Sequence, residues 1–344
     1  QGNADFGERY PVARKWCSAP MKMAEPEDIL ISVRAPIGAV NYAKEECCIG
    51  RGLAALTPNK SKILPEYMFW LHKGKNAELN SKGTGSTFKA IGRKVLEEIL
   101  VPDIGMEQQM EYAVNLEKIN GIIQLRKQEL QKLDELIKSR FVEMFGNPVS
   151  NPKGMVKKTL PELGEFGRGV SKHRPRNDKA LLGGPYPLIQ TGDIANSGMY
   201  ITEDHSTYSE LGLRQSKMWD KGTLCITIAA NIAKTAILGF DACFPDSVVG
   251  FNANENTNNV FVHYWFSFFQ EILESQAPES AQKNINLKIL SKLEVIVPGI
   301  QEQNKFAAFV AQTDKSKLTI QKSLDELETL NKALMQKYFG GNGV

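Results

Sequence analysis

Two basic loops, each punctuated by small residues, are the stretches of this 344-residue chain best suited to chemistry. "NSKGTGSTFKAIGRK" (80–94) places Lys82 and Lys89 around the hydroxyls of Ser86 and Thr87, and its glycines let the backbone approach a phosphate. "GRGVSKHRPRNDK" (167–179) carries Arg168, Lys172, Arg174 and Arg176. A third stretch, "ESAQKNINLK" (279–288), corresponds to the first and offers Gln282, Lys283 and Asn284. Lysine and arginine neutralise phosphates; Asn and Gln match adenine, and Arg or Lys guanine, in a major groove. Arg34, Arg51 and Lys234 complete the candidate nucleic-acid contacts. From Ile49 to Val95 nine Lys/Arg face two acids, and from Lys153 to Lys179 eight face three, whereas 106–145 is charge-mixed. Basic charge is thereby expected on the globular parts. The competing reading of either loop is a solvated, mobile surface.

Catalytic constellations are missing. There is no G-x-x-x-x-G-K-[ST] phosphate loop, and "GTGS" (83–86) lacks a full G-x-G-x-x-G. Asn147-Pro148 and Asn151-Pro152 lack the aromatic that follows Asn-Pro in adenine methyltransferases. Pro102-Asp103 and Pro245-Asp246 are not followed by the acid-x-Lys of many metal-dependent nucleases. His72, His173, His205 and His263 have no metal-ligand spacing, so no metal site is expected.

The elements that must position the loops are written twice. "ELQKLDELIKSRFVEMFG" (129–146) aligns without a gap on "SLDELETLNKALMQKYFG" (323–340), at an offset of 194. Upstream, "GMEQQMEYAV" (105–114) faces "GIQEQNKFAAFV" (299–310). "KVLEEILVPDIG" (94–105) faces "KILSKLEVIVPGI" (288–300), each read as an amphipathic strand ending in Val-Pro. "EYMFWLHKG" (66–74) and "HYWFSFFQE" (263–271) predict short buried helices. "EDILISVRAPIGAVNYA" (27–43) and "GTLCITIAANIAKTAIL" (222–238) predict hairpin-like strand pairs, with Trp16 and Trp219 preceding them. "QGNADF" (1–6) resembles "QTGDIA" (190–195). The first copy has no counterpart of residues 146–189. Together with a start at Gln1, this predicts a processed or truncated chain whose first unit lacks its N-terminal piece.

Glu107 to Phe145 contains no proline and predicts a helix of roughly 57 Å at 1.5 Å per residue. Leu116, Ile119, Ile123, Leu130, Leu133 and Ile137 form an apolar seam on it, interrupted by Arg126. Ile320, Leu324, Leu327 and Leu334, after Val310, form the partner seam, with Thr313, Lys317 and Asn331 as polar interruptions. The two helices are expected to pair antiparallel with approximate two-fold symmetry, and Gly146 and Gly340 to close them as left-handed caps. The bland alternative is that each helix packs on its own globular unit.

Bulk composition is that of an ordinary globular protein, 42% hydrophobic and 24% charged with a net charge of +3. No apolar run approaches 18 residues and no secretory signal is present, so neither a membrane span nor a membrane partner is expected. Cys17, Cys47, Cys48, Cys225 and Cys243 are odd in number and scattered, which suits reduced thiols and a cytoplasmic location. Cys47 and Cys48 suit a strand.

The duplicated order resembles the specificity subunit of type I restriction–modification enzymes. The residues that carry it are the Val-Pro, the Glu107-Gln108-Gln109 and Gln301-Glu302-Gln303 that open each long helix, the Phe-Gly that ends it, and "GGPYPLIQTGDI" (183–194). The resemblance spans nearly all 344 residues. It implies an α+β fold in which two β-rich target-recognition domains alternate with two long helices paired as an antiparallel coiled coil with pseudo-two-fold symmetry. The first recognition domain would be 1–105, without its N-terminal part, and the first spacer helix 106–146. The second domain would be 147–299 and the second helix 300–341. It further implies a non-catalytic subunit that recognises a split sequence in double-stranded DNA, the helices setting the spacer. Partners would be two modification subunits carrying S-adenosylmethionine and restriction subunits carrying ATP and Mg, with no cofactor in this chain. The alternative is a coiled-coil scaffold whose globular ends bind proteins.

Overall fold

A computed structural model describes residues 2–85, 89–229, 232–276 and 285–340. They form two compact units: one comprises 1–130 with 318–344, the other 131–317. In the first unit the order is β1 (Met23–Ala24), β2 (Ile29–Ser32), β3 (Val40–Tyr42), β4 (Cys47–Cys48), β5 (Leu53–Leu56), α1 (Pro65–Gly74), α2 (Asn76–Ser81) and α3 (Arg93–Glu97). The long helix α4 (Met106–Phe145) follows and runs on into the second unit. There the order is β6 (Lys157–Thr159), α5 (Leu160–Leu163), β7 (Gly164–Arg168), β8 (Leu182–Pro187), α6 (Thr191–Asn196), β9 (Tyr200–Ile201), β10 (Thr207–Tyr208), α7 (Glu210–Arg214) and β11 (Met218–Trp219). β12 (Leu224–Thr227), β13 (Thr235–Leu238), β14 (Ala242–Cys243), β15 (Val248–Ala253), α8 (Asn259–Gln276), α9 (Leu287–Leu290) and β16 (Glu294–Ile296) follow. The second long helix, α10 (Ile300–Phe339), ends in the first unit.

The duplication is visible residue by residue. β2 lies between β3 and β5, with Ile29 opposite both Tyr42 and Leu56. β12 lies between β13 and β15, with Leu224 opposite Ile237 and Phe251. Both central strands are wholly buried, as their continuous apolar runs require. In the second unit the sheet extends to five strands, β7-β15-β12-β13-β9. In the first it has three, and the Arg9 carbonyl stands where the Met199 carbonyl stands before β9. Tyr42 N–H donates to the Arg9 carbonyl at 2.7 Å, the counterpart of Ile237 N–H to Met199 at 2.8 Å.

Three expectations need correction. The stretch 94–105 forms no strand: it opens with α3 and leaves Leu100 82% and Val101 48% exposed. Its counterpart β16 is a strand because it pairs with β6, and β6 has no equivalent among the described residues of the first unit. Trp16 is not the partner of Trp219. Trp16 is 97% exposed, whereas Trp219 is buried in β11 and stacks on Phe244; the register of β1 on β4 matches Ala24 to Trp219. Gly146 is left-handed at φ +77°, as a helix stop requires. Gly340 does not share that backbone; there a Cβ would lie 2.4 Å from the Gln336 carbonyl, so close approach is what demands glycine.

The seam is buried or half-buried along its length in both units. In the first, Leu116 and Ala113 of α4 share a core with Tyr338 and Phe339 of α10, together with Tyr67, Phe69 and Trp70 of α1. Tyr112 and Tyr338 stack at 3.7 Å, and Lys127 pairs with Glu328 at 2.8 Å. In the second, Ile137, Phe141 and Phe145 of α4 share a core with Phe306 and Val310 of α10 and with Phe261 of α8. Lys317 donates to Asp134 at 2.6 Å. In each unit the pairs run antiparallel, 112 with 338 and 127 with 328, 134 with 317 and 141 with 306. Ile123 and Leu324 are buried, while Ile119, Leu130, Leu133, Ile320, Leu327 and Leu334 are half-buried.

The Gln that opens each long helix has a structural reason. Gln303 is fully buried; its Oε1 accepts from the Thr257 hydroxyl at 2.8 Å and Asn258 N–H at 3.2 Å. Its Nε2 donates to the carbonyls of Asn256 at 3.1 Å and Pro298 at 2.8 Å. Gln109 repeats the set, accepting from Leu64 N–H at 2.9 Å and donating to Lys62 and Ile104 carbonyls, both at 3.0 Å. One side chain thereby ties the helix start to the loop before α1 or α8. Replacing Gln303 by Leu should cost about 2 to 4 kcal/mol, since it orphans buried polar groups; an unchanged urea midpoint would refute this role.

Burial, with Lys317 nearby, lowers the His263 pKa from 6.5 to about 4, and the ring bonds the Thr235 hydroxyl at 2.9 Å. The ring is neutral in the fold at pH 7. As pH falls from 6.5 towards 4, the unfolded chain takes up a proton that the folded one refuses, so stability drops by roughly 3 kcal/mol. The first unit has Phe69 at the matching position of α1. His263→Phe should abolish this acid-dependent loss in urea titrations at pH 7 and pH 4.5; the same loss in the variant would rule the ring out as its source.

Candidate nucleic-acid interface

In the first unit, three separate segments meet at one end of the three-stranded sheet. Beyond β2, Val33 N–H donates to the Gly52 carbonyl at 2.9 Å, and Ile91 N–H donates to the Val33 carbonyl at 2.9 Å. Arg34 bridges to Ala90, and Ala90 to Thr84. Arg34, Arg51 and Lys89 are thereby gathered, all with exposed side chains. Lys82 is half-buried on the same loop, its ammonium 2.8 Å from Glu78. Ser86 and Thr87 lie outside the described residues.

The second unit repeats this frame. Ile228 N–H donates to the Ser247 carbonyl, and Ile285 N–H to the Ile228 carbonyl, both at 3.0 Å. The hairpin between β12 and β13 turns through Ala233 at φ +57°, where the first unit has Gly38 at φ +81°. A left-handed alanine is backbone strain that glycine would not carry. Half-buried Lys234 follows directly, its N–H on the Thr227 hydroxyl at 3.1 Å. Gln282, Lys283 and Asn284 lie outside the described residues.

The loop that follows β7 packs on the turn between β14 and β15. Gly169 lies so close to it that a Cβ would meet the Phe244 and Pro245 carbonyls at 2.3 and 2.4 Å. Lys172 and His173 both donate backbone N–H to Gln215 Oε1, at 2.7 and 3.1 Å. Arg168 Nε donates to the Asp246 carbonyl at 2.9 Å, and Arg174 and Arg176 both pair with its carboxylate. Asp246 and Gln215 were not legible as site residues. The one sequence signal was Pro245-Asp246, which marks a turn but not what the turn holds.

Counting basic residues overstates free positive charge. Lys60 pairs with Glu27, Lys75 and Lys82 with Glu78, Arg93 with Glu97 and Lys94 with Glu98. Lys73 lies over the Phe69 and Trp70 rings. Lys153 instead caps α4, donating to the Glu143 and Met144 carbonyls at 3.0 and 2.8 Å. Of the nine basic residues in 49–95, Arg51, Lys62 and Lys89 carry no ion pair or ring contact among the described residues, and Arg51 and Lys89 stand at the sheet end. No cluster of three or more potential metal ligands occurs among the described residues, nor is any described helix long and apolar enough to cross a membrane.

Comparison with known proteins agrees with the duplicated plan. The model of the type I restriction modification DNA specificity domain matches residues 22–135 and 152–329. The putative type I restriction enzyme MjaX specificity subunit of Methanocaldococcus jannaschii is 38% identical over 135 residues, 39% of this chain but only 32% of that protein. The MjaIX specificity subunit of the same organism is 22% identical over 97% of this chain and 82% of its own length. Among solved structures, the S subunit of a type I system from M. genitalium has a TM-score of 0.58 at 16% identity, covering 93% of this chain and 84% of that one. A chain from a type I system solved to explain complex assembly and conformational transition reaches 0.59 at 17%, covering 96% and 87%. With the family model matched twice across a chain whose two units share strand register and buried glutamines, this protein belongs to the type I restriction–modification DNA specificity family, the non-catalytic sequence-recognition components of those systems.

Proposed function

We propose that each unit reads one half of a split sequence in double-stranded DNA, and that the long helices set the separation between the halves. One observation carries the reading: segments far apart in sequence bring Arg34, Arg51 and Lys89 to one end of the first sheet, and the same backbone frame recurs in the second. Exposed guanidinium and ammonium groups on loops held by a rigid sheet suit phosphate positioning and base reading. Lys82, Lys234, Arg168, Lys172, Arg174 and Arg176 belong to the same surfaces, with Ser86, Thr87, Gln282, Lys283 and Asn284 as further candidates. The recognition domains are taken as 1–105 and 147–299 and the spacer helices as 106–146 and 300–341.

Assembly with modification subunits is supported by a second apolar stripe on α4. Met106, Met110, Val114, Ile122 and Leu125 are exposed at spacings of three, four and eight residues, apart from the seam. Two modification subunits carrying S-adenosylmethionine would dock on the long helices, and restriction subunits would bring ATP and Mg. The assembly would act in the cytoplasm, where its DNA is.

Selection from random duplexes, with modification subunits supplied, should enrich a split motif; enrichment of none would favour a protein-binding scaffold. Arg51→Gln with Lys89→Gln should flatten the slope of log affinity against log salt by about 2, near 0.9 for each lost phosphate contact. An unchanged slope would remove both residues from the interface. Four residues inserted after Lys132 should lengthen the accepted spacer or abolish binding, leaving the half-sites unchanged, because each helical residue adds about 1.5 Å and 100°. Altered half-site bases with the original spacer would contradict the ruler.

A further inference from the structure

The turn before β5 and the turn before β15 share one backbone frame but carry opposite charges. Leu53 N–H donates to the Gly50 carbonyl at 3.1 Å, and Val248 N–H to the Pro245 carbonyl at 3.0 Å. Val33 N–H reaches Gly52, as Ile228 N–H reaches Ser247. The residue enclosed by these bonds is Arg51 in the first unit and Asp246 in the second. Arg51 is exposed and makes no ion pair among the described residues.

Asp246 is surrounded by arginines. Its Oδ1 pairs with Arg176 Nη2, its Oδ2 lies 3.6 Å from Arg174 Nη2, and its carbonyl accepts from Arg168 Nε. Arg174 is held further by its Nη1, which donates to the Ser171 and His173 carbonyls at 2.7 and 2.8 Å. Even so, the Arg174 and Arg176 side chains remain 55% and 47% exposed. Arg176 is moored through Nη2 alone, and Arg174 through Nη1 with Nη2 turned toward Asp246, which leaves part of each guanidinium open.

Two ligands of one chemistry could meet such a pair: a backbone phosphate, or the O6/N7 edge of guanine. Attraction to phosphate rewards net positive charge and asks little of orientation. A carboxylate among the arginines cancels part of that charge, so it works against phosphate binding. Bidentate reading of guanine instead needs a fork held in one orientation, which a carboxylate on its far side supplies.

We infer that Asp246 is a positioning residue that presets Arg174 and Arg176 to read guanine in the half-site of the second unit, a device that the matching turn of the first unit, which carries Arg51, does not have. This rests on the proposed DNA reading, and the test separates the two. The full chain, co-expressed with modification subunits, is put through duplex selection as wild type, Asp246→Asn, Asp246→Glu and Arg174→Lys, with thermal melts of each. A split motif with the wild type upholds the DNA reading; its absence removes that reading and this inference together. With Asp246→Asn, preference at one or two guanines of a single half-site should fall at least tenfold. The other half-site should be unchanged, and affinity for unrelated DNA equal or higher. Asp246→Glu should restore part of the preference, and Arg174→Lys, which keeps the charge and loses the fork, should reproduce the loss. An unchanged motif in Asp246→Asn and Arg174→Lys, or a uniform loss of affinity without a change in base preference, overturns the assignment. If Asp246→Asn lowers the melting temperature sharply, Arg174→Lys decides alone.

Discussion

A forty-residue helix with an apolar stripe cannot leave that stripe in water, and the covering of two such stripes organises the whole chain. The start of α4 is covered in the first unit by the end of α10, through Tyr112 on Tyr338 and the burial of Phe339 against Tyr67. The end of α4 is covered in the second unit by the start of α10, through Phe141 and Phe145 on Phe306. The first unit is therefore built from two stretches far apart in sequence, and its core is incomplete until the last helix of the chain has folded. Aromatic side chains dominate these contacts because they bury the largest apolar area per residue.

With the helices seated, a few polar contacts orient everything attached to them. Gln109 and Gln303 each satisfy backbone groups of two segments that no ladder reaches, and so fix the loop before α1 or α8 to the helix start. Those helices in turn pack on the central strands. The ends of β2 and β12 then present the same three loops in the same frame. Between the units the frame is kept while the loop residues differ: Arg51 stands where Asp246 stands, and Gly38 where Ala233 stands. A rigid frame with divergent loops is what two readers of different sequences require.

Much was legible in the primary structure because its signals were local or repeated. Apolar spacing of three and four marked Leu116, Ile123 and Leu324 as buried, and the paired apolar runs marked the hairpins β2–β3 and β12–β13. The lack of proline from Glu107 to Phe145 matched an uninterrupted helix, and Gly146 its end. Duplication alone gave the order of elements, since a pattern written twice is hard to produce by chance.

What sequence could not supply were the properties that depend on a distant partner. Whether Ile99–Val101 becomes a strand turns on a second strand beside it, which Glu294–Ile296 has in β6 and Ile99–Val101 lacks among the described residues. Trp16 and Trp219 share a residue type and a rough position, yet only Trp219 finds an aromatic face to stack on. Net charge could be counted along the chain, but only folding paired Lys60 with Glu27 and left Arg51 open. Sequence determined the repeated elements, because helix and strand periodicity is written in near neighbours. Tertiary structure alone decided which arginines converge on Asp246, because that carboxylate lies 70 residues beyond Arg176 and acts only through space.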